Sequence, residues 1–128
     1  MRYFICILST VIMLAGLSHA VDLPSANEAA IHAALDSGRP TVADFGARTC
    51  IPCKKMAPIL AELDREQKGK ANVLFTDVHG AKNLAAAYHI QMIPTQIFFD
   101  AKGKEVKRHI GFMDKADILK ELKAAGLK

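Results

Sequence analysis

Residues 21–128 alternate between short apolar runs and amphipathic stretches, a pattern that predicts alternating strands and helices. Apolar runs bounded by turn residues predict strands at 41–45, 72–78 and 96–99. Apolar positions three and four apart predict helices at about 25–37, after Cys50, at 81–88 and from 114 to about 124. Residues 104–110 follow a polar turn at 100–103 and are expected to pair back as a hairpin strand.

The predicted order is α, β, α, β, α, β, β, α, which indicates an α/β fold. Early strands separated by helices predict parallel pairing with right-handed crossovers, and the closing hairpin adds an antiparallel part. The expected architecture is a mixed central sheet with helices on both faces. A chain of 128 residues without an internal repeat fits one domain.

Local signals predict where three of the helices begin or bend. Ser25 and Glu28 have the spacing of a capping box, so the first helix is expected to begin at Ser25. Pro58 should kink the second helix because it lacks a backbone donor. Asp114 is expected to cap the last helix.

The N-terminal 20 residues have the pattern of a signal peptide. Arg2 precedes an almost entirely apolar run from Tyr3 to Leu17, and Ser18-His19-Ala20 places small residues at a cleavage site. The run is short for a membrane span. We therefore expect residues 1–20 to be removed near Ala20, which would leave residues 21–128 as the domain in the periplasm or outside the cell. A retained N-terminal membrane anchor is the alternative.

Cleavage would leave two cysteines, Cys50 and Cys53, because Cys6 lies in the signal peptide. No disulfide between distant segments is then possible within the mature monomer. The formal charge falls from +4 to +3 with the loss of Arg2, and the lysines are scattered. Scattered charge is typical of a solvated surface, so we expect no nucleic-acid partner.

Cys50-Ile51-Pro52-Cys53 places two thiols at the start of a predicted helix. Unpaired N–H groups there favour a thiolate on Cys50, which could attack a disulfide, while Cys53, one turn further on, resolves the mixed disulfide. Pro52 suits the first helical turn. An inert disulfide ring and a metal site remain alternatives, although the chain offers no second C-x-x-C and its histidines are scattered.

The segment from Cys50 to Leu60, with its proline at Pro58, resembles the active-site helix of the thioredoxin family. Asp44, at the end of the preceding strand, and Gly111, after the hairpin, also match that family. Ile93-Pro94-Thr95 is similar to its cis-proline loop. The resemblance covers nearly all of residues 21–128.

The resemblance implies roles for several residues. Asp44 would be buried and transfer a proton to and from the resolving Cys53; a strand-end carboxylate facing water is the alternative. Pro94 would be cis, and with Ile93 it would face the dithiol and pair with the substrate backbone. Thr49, Ile51 and Pro52 would belong to the same substrate-facing surface.

Three departures from the family pattern affect this surface and the tuning of the thiols. Thr49 stands where thioredoxins usually carry tryptophan, and Ile51 stands where they usually carry glycine. Residues 74–76 contain no lysine, whereas many thioredoxins place one near the buried aspartate. These changes put the substrate range and the reduction potential in question, but not the exchange chemistry.

The sequence therefore predicts an exported thiol–disulfide oxidoreductase that reduces protein disulfides as a monomer. It would need no cofactor beyond the Cys50–Cys53 disulfide and no metal. By resemblance, its electron donor would be a membrane-embedded thiol transporter. The alternatives are a disulfide-forming oxidant and a non-catalytic thioredoxin-fold module that binds or chaperones proteins.

Overall fold

The computed structural model describes residues 21–128, and the predicted signal peptide lies outside them. The elements follow the predicted order, with these bounds: α1 (Glu28–Leu35), β1 (Thr41–Gly46), α2 (Ile51–Glu66), β2 (Asn72–Asp77), α3 (Lys82–Ala87), β3 (Thr95–Phe99), β4 (Glu105–Ile110) and α4 (Lys115–Ala124). No helix within this range is long and apolar enough to cross a membrane.

The four strands form one mixed sheet in the order β2-β1-β3-β4. β1 and β2 are parallel, as predicted for strands joined by a helix. β3 also follows a helix, yet it runs antiparallel to β1, and β4 pairs antiparallel with β3. The prediction of parallel pairing is therefore wrong for β3. A helical connection allows the next strand to run in either direction, and local periodicity does not predict which direction it takes.

Helices cover both faces of the sheet, which confirms the predicted fold class. On one face, Met56, Leu60 and Leu63 of α2 and Ile118 and Leu122 of α4 pack against strand residues. On the other face, Ile31 of α1 and partly buried residues of α3 pack against the alternate strand positions, which are Ala43, Phe45, Ile97 and Phe99. The core is thus split by the sheet into two apolar layers.

The capping-box prediction for α1 is wrong. The N-cap is Asn27, whose side-chain oxygen accepts a hydrogen bond from the Ala30 amide at 2.9 Å. Ser25 instead forms a parallel bridge with Phe75, and its hydroxyl oxygen accepts from the Asp77 amide at 2.9 Å. Pairing of the lead-in chain with the edge of β2 engages Ser25, so the N-cap lies two residues beyond it.

Candidate active site

The dithiol lies at the start of α2, the helix that follows β1. Cys50 is the N-cap of α2, and its carbonyl accepts the first helical hydrogen bond from the Lys54 amide at 2.9 Å. Cys50 and Cys53 form a disulfide with their Cα atoms 5.1 Å apart. The Cys50 sulfur also accepts from the Cys53 amide at 3.4 Å. After reduction, the same N–H would favour a thiolate on Cys50.

The two cysteines differ in their exposure to solvent. Cys50 is partly exposed, whereas Cys53 is only 4% exposed. The backbone of Gly46, at the end of β1, lies against Cys53 on its buried side. A substrate can therefore reach Cys50 directly, while Cys53 is accessible mainly to a partner already attached to Cys50.

Asp44 is fully buried in β1, so the alternative of a strand-end carboxylate facing water is wrong. Its Oδ1 atom accepts a hydrogen bond from the Gln96 amide nitrogen at 2.8 Å, and Oδ2 has no hydrogen-bond partner among residues 21–128. Burial raises the pKa of Asp44 to about 6, although the Gln96 hydrogen bond acts in the opposite direction. Asp44 can thus exchange a proton near neutral pH.

Asp44 also lies on the same side of the sheet as Cys53. Residues two apart in a strand point to the same face, so Asp44 and Gly46 share a face. A Cβ atom built on Gly46 would point at the sulfur of Cys53 and at the ring of Phe75. The carboxyl group therefore faces the layer that contains the buried sulfur.

The Ile93–Pro94 peptide bond is cis, as the resemblance implied. Phe45 pairs with Thr95, so the end of β1 that leads to the dithiol lies beside the start of β3. Pro94 is buried, and its carbonyl accepts from the Gly111 amide at 2.8 Å. The family-like positions Asp44, Pro94 and Gly111 thus gather at the end of the sheet from which the dithiol emerges.

The predicted substrate-facing residues differ in exposure. Ile51 is 71% exposed and Thr49 is also exposed, whereas Pro52 and Ile93 are partly buried. Met92, which comes directly before Ile93, is 62% exposed. Large exposed apolar side chains beside a dithiol suit contact with another protein, but the roles of these residues remain predictions.

Arg48 places a positive charge near the dithiol. Residues 74–76, where many thioredoxins carry a lysine, contain none. The Arg48 guanidinium lies 4.2 Å from the centre of the Phe75 ring, and it donates to the Leu23 carbonyl. Arg48 and Cys53 both line a small cavity of about 120 Å³. Sequence reasoning missed this cation because its partner is an aromatic ring on another element.

Sequence reasoning also missed Gln96 and His109. Both belong to a polar row that crosses the sheet from Asp44, and the Gln96 carbonyl oxygen lies 2.8 Å from His109 Nδ1. The available signal was one polar residue within the otherwise apolar strand 96–99.

Among residues 21–128, no three or more His, Cys, Asp or Glu side chains are grouped so that they could hold a metal ion.

The mixed sheet and the dithiol at a helix start define the class of thioredoxin-like dithiol proteins. The thioredoxin-like domain family matches residues 27–126. The chain is 40% identical over 79 residues to thioredoxin from Staphylococcus aureus, an alignment that covers 62% of this chain and 75% of that protein. The chain therefore belongs to the thioredoxin family.

Two further comparisons agree with this assignment. Over 88 residues the chain is 39% identical to the bifunctional thioredoxin reductase/thioredoxin of Mycobacterium leprae, covering 69% of this chain but only 19% of that protein. A mutant thioredoxin from Halobacterium salinarum superposes with a TM-score of 0.71 at 25% identity, covering 80% of this chain and 88% of that one. With its Cys50–Cys53 pair, the protein is a thiol–disulfide oxidoreductase.

Proposed function

We propose that this protein is an exported reductase of protein disulfides that cycles between a Cys50–Cys53 dithiol and disulfide. The observation that carries the proposal is the asymmetry of the pair: the cysteine that caps the helix is partly exposed, and its partner is 4% exposed. This arrangement suits one sulfur to attack a protein substrate and the other to complete the reaction.

The reaction begins with the Cys50 thiolate. It attacks one sulfur of a substrate disulfide, forms a mixed disulfide and releases the other substrate sulfur as a thiolate, which takes up a proton. Asp44 accepts the proton of Cys53. The Cys53 thiolate then attacks the Cys50 sulfur, which breaks the mixed disulfide, re-forms the Cys50–Cys53 bond and releases the second substrate sulfur as a thiolate, which also takes up a proton. Two electrons pass to the substrate, and the enzyme ends oxidised.

Asp44 is suited to this proton transfer by its burial and its pKa. A carboxyl group with a pKa of about 6 can take or return a proton near neutrality at little cost. It also faces the layer that holds Cys53. We infer that Asp44 assists the step in which Cys53 loses its proton, and the reverse step during re-reduction.

The substrate is a protein segment held across the exposed apolar surface around the dithiol. Thr49, Ile51 and Pro52 would contact it from the start of α2. Ile93 and Pro94 would contact it from the neighbouring loop, where the substrate backbone can pair with the chain. Because Ile51 is large and 71% exposed, it would favour apolar substrate segments.

A reductase needs a source of electrons, and we propose that a membrane-embedded thiol transporter supplies them by exchange with the Cys50–Cys53 disulfide. Export rests on the charged start, apolar run and small residues of positions 1–20. Cleavage near Ala20 would place residues 21–128 in the periplasm or outside the cell, where we expect a monomer.

The reduction potential tests the direction of electron flow. We expect a value near that of thioredoxin, about −270 mV, whereas a disulfide-forming oxidant would lie near about −120 mV. The potential would be measured by equilibration with a glutathione or dithiothreitol buffer and paired with an insulin-reduction assay. Cys50→Ser is the control, since it should abolish reduction. Absence of insulin reduction by the wild-type protein would instead favour a non-catalytic binding module.

The proposed location has a separate test. The native gene would be expressed with a C-terminal tag, and the protein recovered from cell fractions would be analysed by intact mass. We expect a mature N-terminus at Val21 and recovery from the exported fraction. An intact N-terminus in the membrane fraction would support the retained anchor, and recovery from the cytoplasm would overturn export.

A further inference from the structure

Three polar side chains form a single row across β1, β3 and β4. Asp44 of β1 is paired with Gln96 of β3, and Gln96 is paired with His109 of β4. The Gln96 amide nitrogen donates to Asp44 Oδ1 at 2.8 Å, and its carbonyl oxygen lies 2.8 Å from His109 Nδ1. Asp44 and Gln96 are fully buried, while His109 is partly exposed on the edge strand.

The direction of these hydrogen bonds follows from what each group can donate. Because the NH₂ group of Gln96 faces the Asp44 carboxylate, the carbonyl oxygen of Gln96 must face His109. A carbonyl oxygen only accepts, so His109 Nδ1 must carry a proton. The imidazole is therefore the Nδ1–H tautomer when neutral, and its N–H holds the Gln96 amide in one orientation.

Resting on the proposed role of Asp44, we propose that His109 is a positioning residue that acts through Gln96 to keep a hydrogen-bond donor on the Asp44 carboxylate. Without the imidazole, the side-chain amide of Gln96 can rotate by half a turn and place its oxygen against Asp44. That arrangement suits a protonated carboxyl group, which can donate to the oxygen, and disfavours the carboxylate. His109 would thus favour the form of Asp44 that can accept a proton from Cys53.

The charged neighbours of His109 on its own strand are Arg108 and Lys107, and neither forms a side-chain hydrogen bond with Asp44, Gln96 or His109. Arg108 forms an ion pair with Glu105, and its guanidinium donates to the Tyr88 carbonyl at 2.7 Å, on the opposite face of the sheet. Lys107 is exposed. Among residues 21–128, no charged group contributes to the Asp44 pKa shift, and Cys53 of α2 lies on the face that contains the row. Burial raises the pKa of Asp44, and the Gln96 hydrogen bond lowers it, which agrees with a donor held on the carboxylate.

The test measures the pKa of Asp44 directly, by carbon NMR of its labelled carboxyl group in the oxidised protein. We compare wild type with His109→Phe, which keeps a ring but has no donor, and with His109→Gln, which restores an N–H donor. Loss of a hydrogen bond to a charged group should raise the Asp44 pKa by about one unit in His109→Phe. His109→Gln should bring the Asp44 pKa most of the way back to its wild-type value. Lys107→Gln, on the same strand, is the matched control and should leave it unchanged.

A double-mutant cycle tests whether His109 acts through Gln96. Gln96→Met removes the amide at similar size and should raise the Asp44 pKa; adding His109→Phe to it should then have no further effect. Nitrogen NMR of the His109 ring in wild type should show a protonated Nδ1, a readout that does not depend on Gln96→Met folding.

Two results would overturn the inference: an Asp44 pKa in His109→Phe equal to that of wild type, or an unprotonated Nδ1. Neither result would bear on the proposed function. That function fails separately if wild-type protein does not reduce insulin or has a potential at the oxidising end.

Discussion

Gly46 lies so close to Cys53 that a Cβ atom added to it would stand 3.1 Å from the Cys53 sulfur. The same atom would lie 3.3 Å from the Cys53 Cβ atom and 3.3 Å from the Phe75 ring. The backbone of β1 therefore forms one wall of the space that holds the buried sulfur. Glycine at this position avoids contacts that are tighter than a Cβ atom usually makes.

Gly46→Ala should accordingly lower both stability and activity. The methyl group would push on Cys53 and Phe75, and overpacking of this kind typically costs about 1–3 kcal/mol. Displacing Cys53 should also slow the step in which it resolves the mixed disulfide. Urea denaturation and insulin reduction would measure the two effects.

Gly80→Ala is the matched control for Gly46→Ala. A Cβ atom on Gly80 would meet only the Asp77 carbonyl, at 3.9 Å. We expect its stability to stay within about 0.5 kcal/mol of wild type and its activity to be unchanged. Equal losses in the two variants would show that contact with Cys53 is not what Gly46 provides.

The buried Asp44 should make the folded protein less stable as the pH rises. Its pKa is about 6 in the folded state against 3.8 for an ordinary aspartate, so the folded state holds more protons between these values. Stability should therefore fall from about pH 4 to pH 7, by about 3 kcal/mol from this group alone. Urea denaturation at a series of pH values measures the trend.

Asp44→Asn isolates the contribution of this carboxyl group. Asparagine keeps an oxygen that can accept from Gln96 but carries no charge. The variant should be more stable than wild type by about 3 kcal/mol at pH 7–8, and the difference should disappear near pH 4. A difference that does not vary with pH would mean that Asp44 does not titrate in this range.

The exposure of the two cysteines predicts which one attacks. Cys53→Ser should accumulate mixed disulfides through Cys50, because the attacking thiolate remains and nothing resolves the product. Cys50→Ser should trap little or no partner because Cys53 is buried. Non-reducing gels followed by mass spectrometry would identify the linked cysteine, and trapping through Cys53 would reverse the assigned roles.

The cap of α4 should contribute to stability without affecting the redox chemistry. The Asp114 carboxylate accepts from the Asp117 amide at 2.8 Å, and α4 places Ile118 and Leu122 in the core. Asp114→Ala should cost about 1 kcal/mol, whereas Asp114→Asn, which can still accept, should cost little. Both variants should keep the wild-type reduction potential; a changed potential would mean that α4 influences the dithiol.

The sequence by itself determined the order and approximate bounds of all eight elements, because each depends on periodicity or caps within a few residues. Asp114, for example, caps α4 as predicted. The dithiol, Asp44 and Pro94 were also found in the sequence, because together they resemble a family motif. Only the tertiary structure decided that β3 runs antiparallel to β1 and that Ser25 pairs with β2.

The contact of Gly46 with Cys53 and the hydrogen bonds that connect Asp44, Gln96 and His109 were also decided only by the tertiary structure. Asp44 and Gln96 lie 52 positions apart in the chain, and their contact depends on the register of two strands. Local periodicity carries no information about register between strands. The sequence therefore identified the residues that we propose perform the exchange chemistry, and packing across the sheet decided which residues surround them.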